Sequence, residues 1–100
     1  MPFPFSDLTR AKRRPALVLA ALDGDDAILC QITSRPLRDR YPVAVTDKDF
    51  LAGSLRQSSN ARPNRLFTCD RRIILYKVGS LGPSKLDEVV RAAVSILQET

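Results

Sequence analysis

Two apolar runs of similar length, separated by a short polar turn, constrain the fold of this chain most strongly. The first run begins at Ala16, after the basic cluster Lys12-Arg13-Arg14 and Pro15, and ends at Leu22. Pro15 forbids a helix just upstream because its ring fixes φ and removes a backbone donor. The second run, residues 27–34, follows the turn sequence Asp23-Gly24-Asp25-Asp26. The sequence therefore predicts an antiparallel hairpin of two strands.

This hairpin would bring two hydroxyl groups close to two guanidinium groups. Folding back about Gly24 places Thr33 and Ser34 level with Arg13 and Arg14 at one end of the sheet. Guanidinium groups form two-pronged hydrogen bonds with phosphate. The pattern therefore indicates a phosphate-handling site. The acids of the turn could instead suggest a metal, but three acids around one glycine are more typical of hairpin chemistry.

The remainder of the chain alternates between short apolar runs and polar connections. The Pro-Phe-Pro-Phe motif predicts an extended start over residues 1–10, with its rings covering the sheet, followed by a mobile basic loop over residues 6–14. Further strands are predicted at residues 41–46, 65–69 and 72–78, and irregular connections at residues 35–40, 47–55 and 56–64.

The C-terminal segment has the apolar period of a helix. The helix is predicted to begin at Ser84, with Asp87 three residues later in an arrangement like a capping box. Six apolar residues repeat at helical spacing: Leu86, Val89, Val90, Ala93, Val94 and Leu97. Together with the short strands, this stripe predicts a mainly β protein in which one C-terminal helix plugs one side of a small, bent antiparallel barrel. Sandwich and barrel are not distinguished by composition alone.

Size and charge limit the classes of function. One hundred residues, with 16 Lys and Arg against 11 Asp and Glu, predict a single domain over residues 1–100 with a net charge of +5. An arginine-rich basic domain favours a nucleic acid or another polyanion as its partner. The absence of histidine excludes imidazole acid–base pairs and His-containing metal sites. Cys30 and Cys69 are predicted to be free thiols within strands. Without a signal peptide or a membrane-spanning run, we expect a cytoplasmic protein with no membrane partner.

Several blocks of the sequence resemble toxins of the MazF/PemK family of type II toxin–antitoxin systems. The blocks are Pro2-Phe3-Pro4-Phe5-Ser6-Asp7, Arg13-Arg14-Pro15-Ala16-Leu17-Val18-Leu19, Gln31-Ile32-Thr33-Ser34 and the run over residues 60–68. The resemblance implies an SH3-like barrel of MazF/CcdB type. It also implies a homodimer and a cognate antitoxin. In that family the first motif follows a strand opened by a Gly-Asp pair, and that strand is missing from this sequence.

The resemblance also implies a reaction and the residues that carry it out. It implies an endoribonuclease that cleaves single-stranded RNA, such as mRNA, with Arg14 and Thr33 as catalytic residues and Arg62 as an RNA contact. Attack by the RNA 2′-hydroxyl requires no metal, no cofactor and no protein nucleophile. We predict further RNA-binding residues beside the catalytic pair, namely Lys12, Arg13, Ser34 and Arg35.

Two other functions remain open from the sequence. The same barrel could bind nucleic acid or a protein without cleaving it, as the gyrase-poisoning relatives of this fold do. The missing first strand could also leave an inactive, truncated toxin. The joint presence of Arg14 and Thr33 favours cleavage, because a binding module does not require both.

Overall fold

The computed structural model describes residues 2–3, 12–55, 57–74 and 77–99. It contains eight strands, two short 3₁₀ helices and one α-helix, α1 (Pro83–Gln98). The strands in chain order are β1 (Pro2–Phe3), β2 (Lys12–Arg13), β3 (Ala16–Ala21), β4 (Asp26–Thr33), β5 (Val43–Val45), β6 (Phe50–Gly53), β7 (Ser59–Asp70) and β8 (Gly79–Leu81).

The main sheet is antiparallel and has the strand order β3-β4-β7-β5. The sheet curls into a half-barrel, which confirms the predicted mainly β barrel with one C-terminal helix. Two smaller antiparallel pairs accompany it, β1 with β2 and β6 with β8. The predicted extended start over residues 1–10 is described only at Pro2–Phe3, which form β1. The predicted mobile loop over residues 6–14 is wrong at Lys12–Arg13, which pair with β1 as strand β2. Residues 4–11 lie outside the described residues.

The β3–β4 hairpin forms where the sequence predicts it. Its register pairs Ala16 with Gln31 and Ala21 with Ala27. The backbone N–H of Leu22 donates to the carbonyl of Asp26 at 2.9 Å, which closes the turn. Gly24 has φ of +74°, a left-handed conformation that glycine adopts without a Cβ penalty.

Strand β7 is longer than predicted, since it begins at Ser59 within the segment expected to be irregular. The register with β4 shifts between Cys30, which pairs with Leu66, and Gln31, which pairs with Arg62. This bulge leaves Pro63 without a β4 partner, so its missing N–H costs no ladder hydrogen bond. Residues typical of turns, such as Asn and Pro, can therefore lie within a continuous strand here. The prediction of an irregular connection over residues 56–64 was wrong from Ser59 onward.

Two further predictions about local structure were wrong. Residues 47–55 are not irregular, because a 3₁₀ helix (Asp47–Asp49) leads into β6. The strand predicted over residues 72–78 is absent from its described part, because the chain enters a 3₁₀ helix (Arg71–Ile73) and Lys77 and Val78 precede β8 without strand pairing. Residues 75–76 of that prediction lie outside the described residues. In both segments, strand formation depends on the distant partner rather than on the local apolar pattern.

Strands β6 and β8 cross closely because each contributes a glycine. A Cβ on Gly79 would lie 2.5 Å from the carbonyl oxygen of Ala52 and 2.9 Å from the Phe50 ring. Gly53 has φ of +71°, and a Cβ there would collide with the Val78 carbonyl oxygen. This crossing fixes the chain at Val78 against the strand β6.

Helix α1 packs on β7 and β5 and closes the core. Val89 and Ala93 of the predicted stripe are buried, and Val89 joins a core cluster with Cys30, Val45 and Ala61. The end of the stripe was predicted incorrectly, since Leu97 is 73% exposed.

The start of α1 also differs from the prediction. The helix begins at Pro83 rather than Ser84, and its N-cap, Gly82, makes no side-chain capping bond. Proline is favoured at the first helical position because its φ is already helical and its missing N–H would have no partner there. Across the described residues, no helix is long and apolar enough to cross a membrane.

Candidate functional site

The hairpin brings Arg14 and Thr33 to the same place at its open end. Beyond the pair Ala16–Gln31, the backbone N–H of Ile32 donates to the carbonyl of Pro15 at 3.4 Å. This bond continues the antiparallel register, which sets Arg14 beside Thr33. Arg14, Thr33 and Ser34 line one cleft, as expected from the hairpin, whereas the Arg13 side chain lies outside what the structure describes.

The cleft has a volume of about 790 Å³. It lies between the open end of the hairpin, the connection after β6, and β8 with the start of α1. Its floor is apolar and comes from several elements: Leu17, Leu29, Ile32, Leu55, Leu81 and Leu86. The polar groups are therefore arranged along the border of a largely apolar depression.

The charges that border the cleft have one sign. Arg14, Arg35 and Lys77 line it, and the described lining residues include no carboxylate. The side chains of these three cations form no ion pair with any residue that the structure describes. Cations beside an apolar surface favour an anionic ligand when, as among the residues described here, no carboxylate competes for them.

Thr33 has a defined hydrogen-bond arrangement. Its Oγ1 accepts a hydrogen bond from the backbone N–H of Arg35 at 3.1 Å. A hydroxyl that accepts one bond can still donate its own hydrogen. Thr33 can therefore still act as a donor on the border of the cleft that it shares with Arg14.

The other predicted RNA-binding residues do not all lie at the cleft. Ser34 and Arg35 are exposed and line the cleft. Lys12 and Arg13 form β2, and their side chains lie outside what the structure describes. Arg62 does not line the cleft; its side chain is only 14% exposed, and Nη2 lies 3.0 Å from Oδ2 of Asp39.

Two residues near the site were not found from the sequence. Lys77 was assigned to a strand, and only the β6–β8 crossing shows that it borders the cleft. Asp39 was one acid within a basic loop, and its pairing with Arg62 depends on the path of that loop. The one signal in the sequence that could have identified Lys77 was a basic residue just before Gly79 with no acidic residue beside it.

The thiols lie away from the cleft lining. Cys30 and Cys69 are free; Cys30 is fully buried, and its burial raises the pKa of the thiol to about 11. Such a thiol is protonated at neutral pH and is a poor nucleophile. Among the described residues, no three His, Cys, Asp or Glu side chains are grouped so that they could hold a metal ion.

The curled sheet, the C-terminal helix and the cationic cleft define a small, mainly β protein with a site suited to anions. A family described as PemK-like, MazF-like toxins of type II toxin–antitoxin systems matches residues 2–97. The chain belongs to this family, which confirms the resemblance seen in the sequence. Membership implies an antitoxin as partner. A search of individual curated proteins found no match.

Proposed function

We propose that this toxin is a metal-independent, sequence-selective endoribonuclease that cleaves single-stranded RNA, including mRNA, and thereby inhibits translation and growth. The observation that carries the proposal is the position of Arg14 beside Thr33, in a cleft lined by three cations that have no ion pair with a described residue and by no described carboxylate. The homodimer and the cytoplasmic location remain predictions from the sequence.

In the proposed reaction the RNA supplies its own nucleophile. The 2′-oxygen forms a bond to the neighbouring phosphorus and loses its proton, while the bond from phosphorus to the 5′-oxygen breaks and that oxygen gains a proton. The products are a 2′,3′-cyclic phosphate and a 5′-hydroxyl. Arg14 stabilises the negative charge that develops on the phosphoryl oxygens, and Thr33 donates a hydrogen bond to one of them.

Neither residue acts as the base in this scheme. A guanidinium such as that of Arg14 offers N–H donors and no acceptor. The Thr33 oxygen already accepts the Arg35 amide and is oriented to donate. Ser34 and Arg35 are proposed to bind the RNA backbone, because both are exposed on the cleft border beside Thr33.

One observation favours a second candidate, a non-catalytic binding module. The apolar floor of the cleft is larger than a phosphodiester requires, and a protein segment with apolar side chains would cover it. Cleavage of RNA distinguishes the two candidates directly.

The experiment is incubation of the purified protein with mixed single-stranded RNA in EDTA, followed by analysis of the cleaved ends. We expect discrete fragments with cyclic-phosphate ends from the wild type, and a loss of about 10²- to 10³-fold in rate for Arg14→Ala and for Thr33→Val. Arg65→Ala and Thr68→Val are matched controls, because both residues are exposed on β7 and outside the cleft.

Two results would overturn the proposal. A folded wild type that binds RNA or a protein partner without cleaving RNA would establish the binding module instead. Cleavage that persists equally in Arg14→Ala and Thr33→Val would show that the reaction occurs elsewhere.

A further inference from the structure

The loop over residues 34–42, which follows Thr33 and carries Arg35, is fixed to the sheet at several points. At its start, the Arg35 amide donates to Oγ1 of Thr33. In its middle, Asp39 pairs with Arg62 of β7. At its end, the Tyr41 hydroxyl lies 3.3 Å from Oε2 of Glu99, just beyond α1. Arg40 adds an exposed ion pair with the same Glu99 at 3.2 Å, so the loop is tied both to the sheet and to the end of α1.

The middle contact is the most sheltered of the three. Asp39 uses both carboxylate oxygens, since Oδ1 accepts the Tyr41 N–H at 3.2 Å while Oδ2 accepts from Arg62 at 3.0 Å. The Arg62 side chain is 14% exposed, and its Nε is buried without a hydrogen-bond partner among the described residues. A cation buried to this extent depends on its carboxylate, because removal of the partner would leave the charge uncompensated.

The register of the sheet relates this ion pair to the proposed catalytic residue. Arg62 pairs with Gln31, and Thr33 is two residues further along β4. Side chains two residues apart on a strand lie on the same face, as do those of directly opposed residues. Arg62 and Thr33 thus share one face of the sheet, and the loop that holds Arg62 leads directly back to Thr33.

We propose that Asp39 and Arg62 are positioning residues: their ion pair fixes the loop over residues 34–42, and through it holds Arg35 and the Thr33 hydroxyl beside Arg14. This role rests on the proposed ribonuclease activity. Under this proposal Arg62 does not contact RNA and affects the reaction only through the position of the loop. A displacement of about 1 Å in such a site can lower the rate by about 10²-fold.

Salt dependence distinguishes positioning from direct contact. Each phosphate contact on single-stranded nucleic acid contributes about −0.7 to the slope of log affinity against log salt concentration. If Arg62 only positions the loop, Arg62→Gln and Asp39→Asn lower kcat by a similar factor, of the order of tenfold or more, and leave the slope for binding to a non-cleavable 2′-deoxy substrate unchanged. The double variant then loses little more than either single variant.

Further variants protect the test against simple unfolding. Thermal melts identify any variant that is not folded under the assay conditions. Arg62→Lys retains the charge and restores part of kcat if the pair with Asp39 is what counts. Arg65→Ala removes a positive charge from the same strand at an exposed position and controls for the loss of charge alone.

The alternatives give different results. If Arg62 contacts RNA directly, Arg62→Gln makes the salt slope shallower by about 0.7, and Asp39→Asn leaves binding unchanged or stronger, which overturns the inference. Additive losses in kcat for the two single variants also overturn it. A wild type that does not cleave RNA at all refutes the proposed function instead, so the two failures are separable.

Discussion

At the scale of single residues, the hydroxyl groups of the cleft are not equivalent. The Thr33 oxygen accepts the Arg35 amide and keeps its hydrogen free, whereas the Ser59 hydroxyl donates its hydrogen to the Gln57 carbonyl at 3.0 Å. Of these two, only Thr33 can donate to a bound phosphate without breaking an internal bond. Its position in the sequence predicted proximity to arginine, but the direction of its hydrogen bond depends on the turn at Arg35.

Two substitutions of Thr33 distinguish the role of its hydroxyl from that of its methyl group. We expect Thr33→Ser to keep RNA cleavage within about tenfold of the wild type, because the donor is retained, and Thr33→Val to lose about 10²-fold or more. The measurement is single-turnover cleavage at saturating protein. A Thr33→Val variant that cleaves RNA as fast as the wild type would mean that the hydroxyl has no role in the reaction.

Asp70 is predicted to make stability depend on pH in acid. Its pKa is lowered to about 2, first by the side-chain hydrogen bond from Arg72 and then by the Arg72 backbone N–H and the nearby positive charges. A carboxyl with a lowered folded-state pKa contributes stability above its unfolded pKa of about 3.9, and loses it as the pH falls toward 2.

The variant Asp70→Asn tests this contribution. The wild type should melt at a higher temperature than the variant at pH 5, and the difference should shrink steadily between pH 4 and pH 2. Asp87→Asn is a comparison on α1, where the carboxylate pairs with Arg91. A difference between wild type and Asp70→Asn that stays constant over this range would contradict the assignment.

At the scale of elements, the closely crossed pair β6–β8 forms one wall of the cleft. Gly79→Ala should destabilise the fold by about 2 kcal/mol or more, since the added methyl group would overlap backbone and ring atoms that are already in contact. Gly82→Ala is the matched control, because the nearest atom to its added Cβ would be 3.4 Å away. Urea denaturation measures both, and equal costs would contradict the close crossing.

The elements also show where prediction from sequence succeeds. The β3–β4 hairpin was predictable because its two apolar runs and its turn are contiguous in the chain. The same local chemistry predicted Arg14 beside Thr33. Strands β6 and β8 were not predictable, because the short runs at Phe50 and Gly79 gain strand structure only from each other. The Asp39–Arg62 pair similarly depends on a loop whose path no local pattern specifies.

At the scale of the whole molecule, charge is divided between the cleft and the remaining surface. Arg14, Arg35 and Lys77 border the cleft without ion pairs among the described residues, whereas Arg91 is neutralised by Asp87 at 2.7 Å on α1. The described lining of the cleft thus carries positive charge without a described carboxylate, and this is where the proposed RNA substrate would be attracted.

This distribution predicts the salt dependence of RNA binding. Three phosphate contacts would give a slope of about −2 for log affinity against log salt concentration, and Lys77→Ala should make it shallower by about 0.7. Arg91→Ala should leave the slope unchanged. The measurement is filter binding of a non-cleavable oligonucleotide at salt concentrations between about 50 and 300 mM. If Lys77→Ala leaves the slope unchanged, the RNA does not contact the side of the cleft formed by β6 and β8.

The pairing of β4 with β7 also determines how late in synthesis the main sheet can form. Asp26 pairs with Asp70 and Thr33 with Asn60, so the two central strands meet only after a long intervening segment has been made. Sheets dominated by such distant pairs fold slowly, in about milliseconds to seconds, because the loop must close before the contacts form. During synthesis, the proposed catalytic residues Arg14 and Thr33 therefore stay without their supporting strand until β7 has left the ribosome. We expect RNA cleavage, if the proposed function holds, to begin only after β7 has been made.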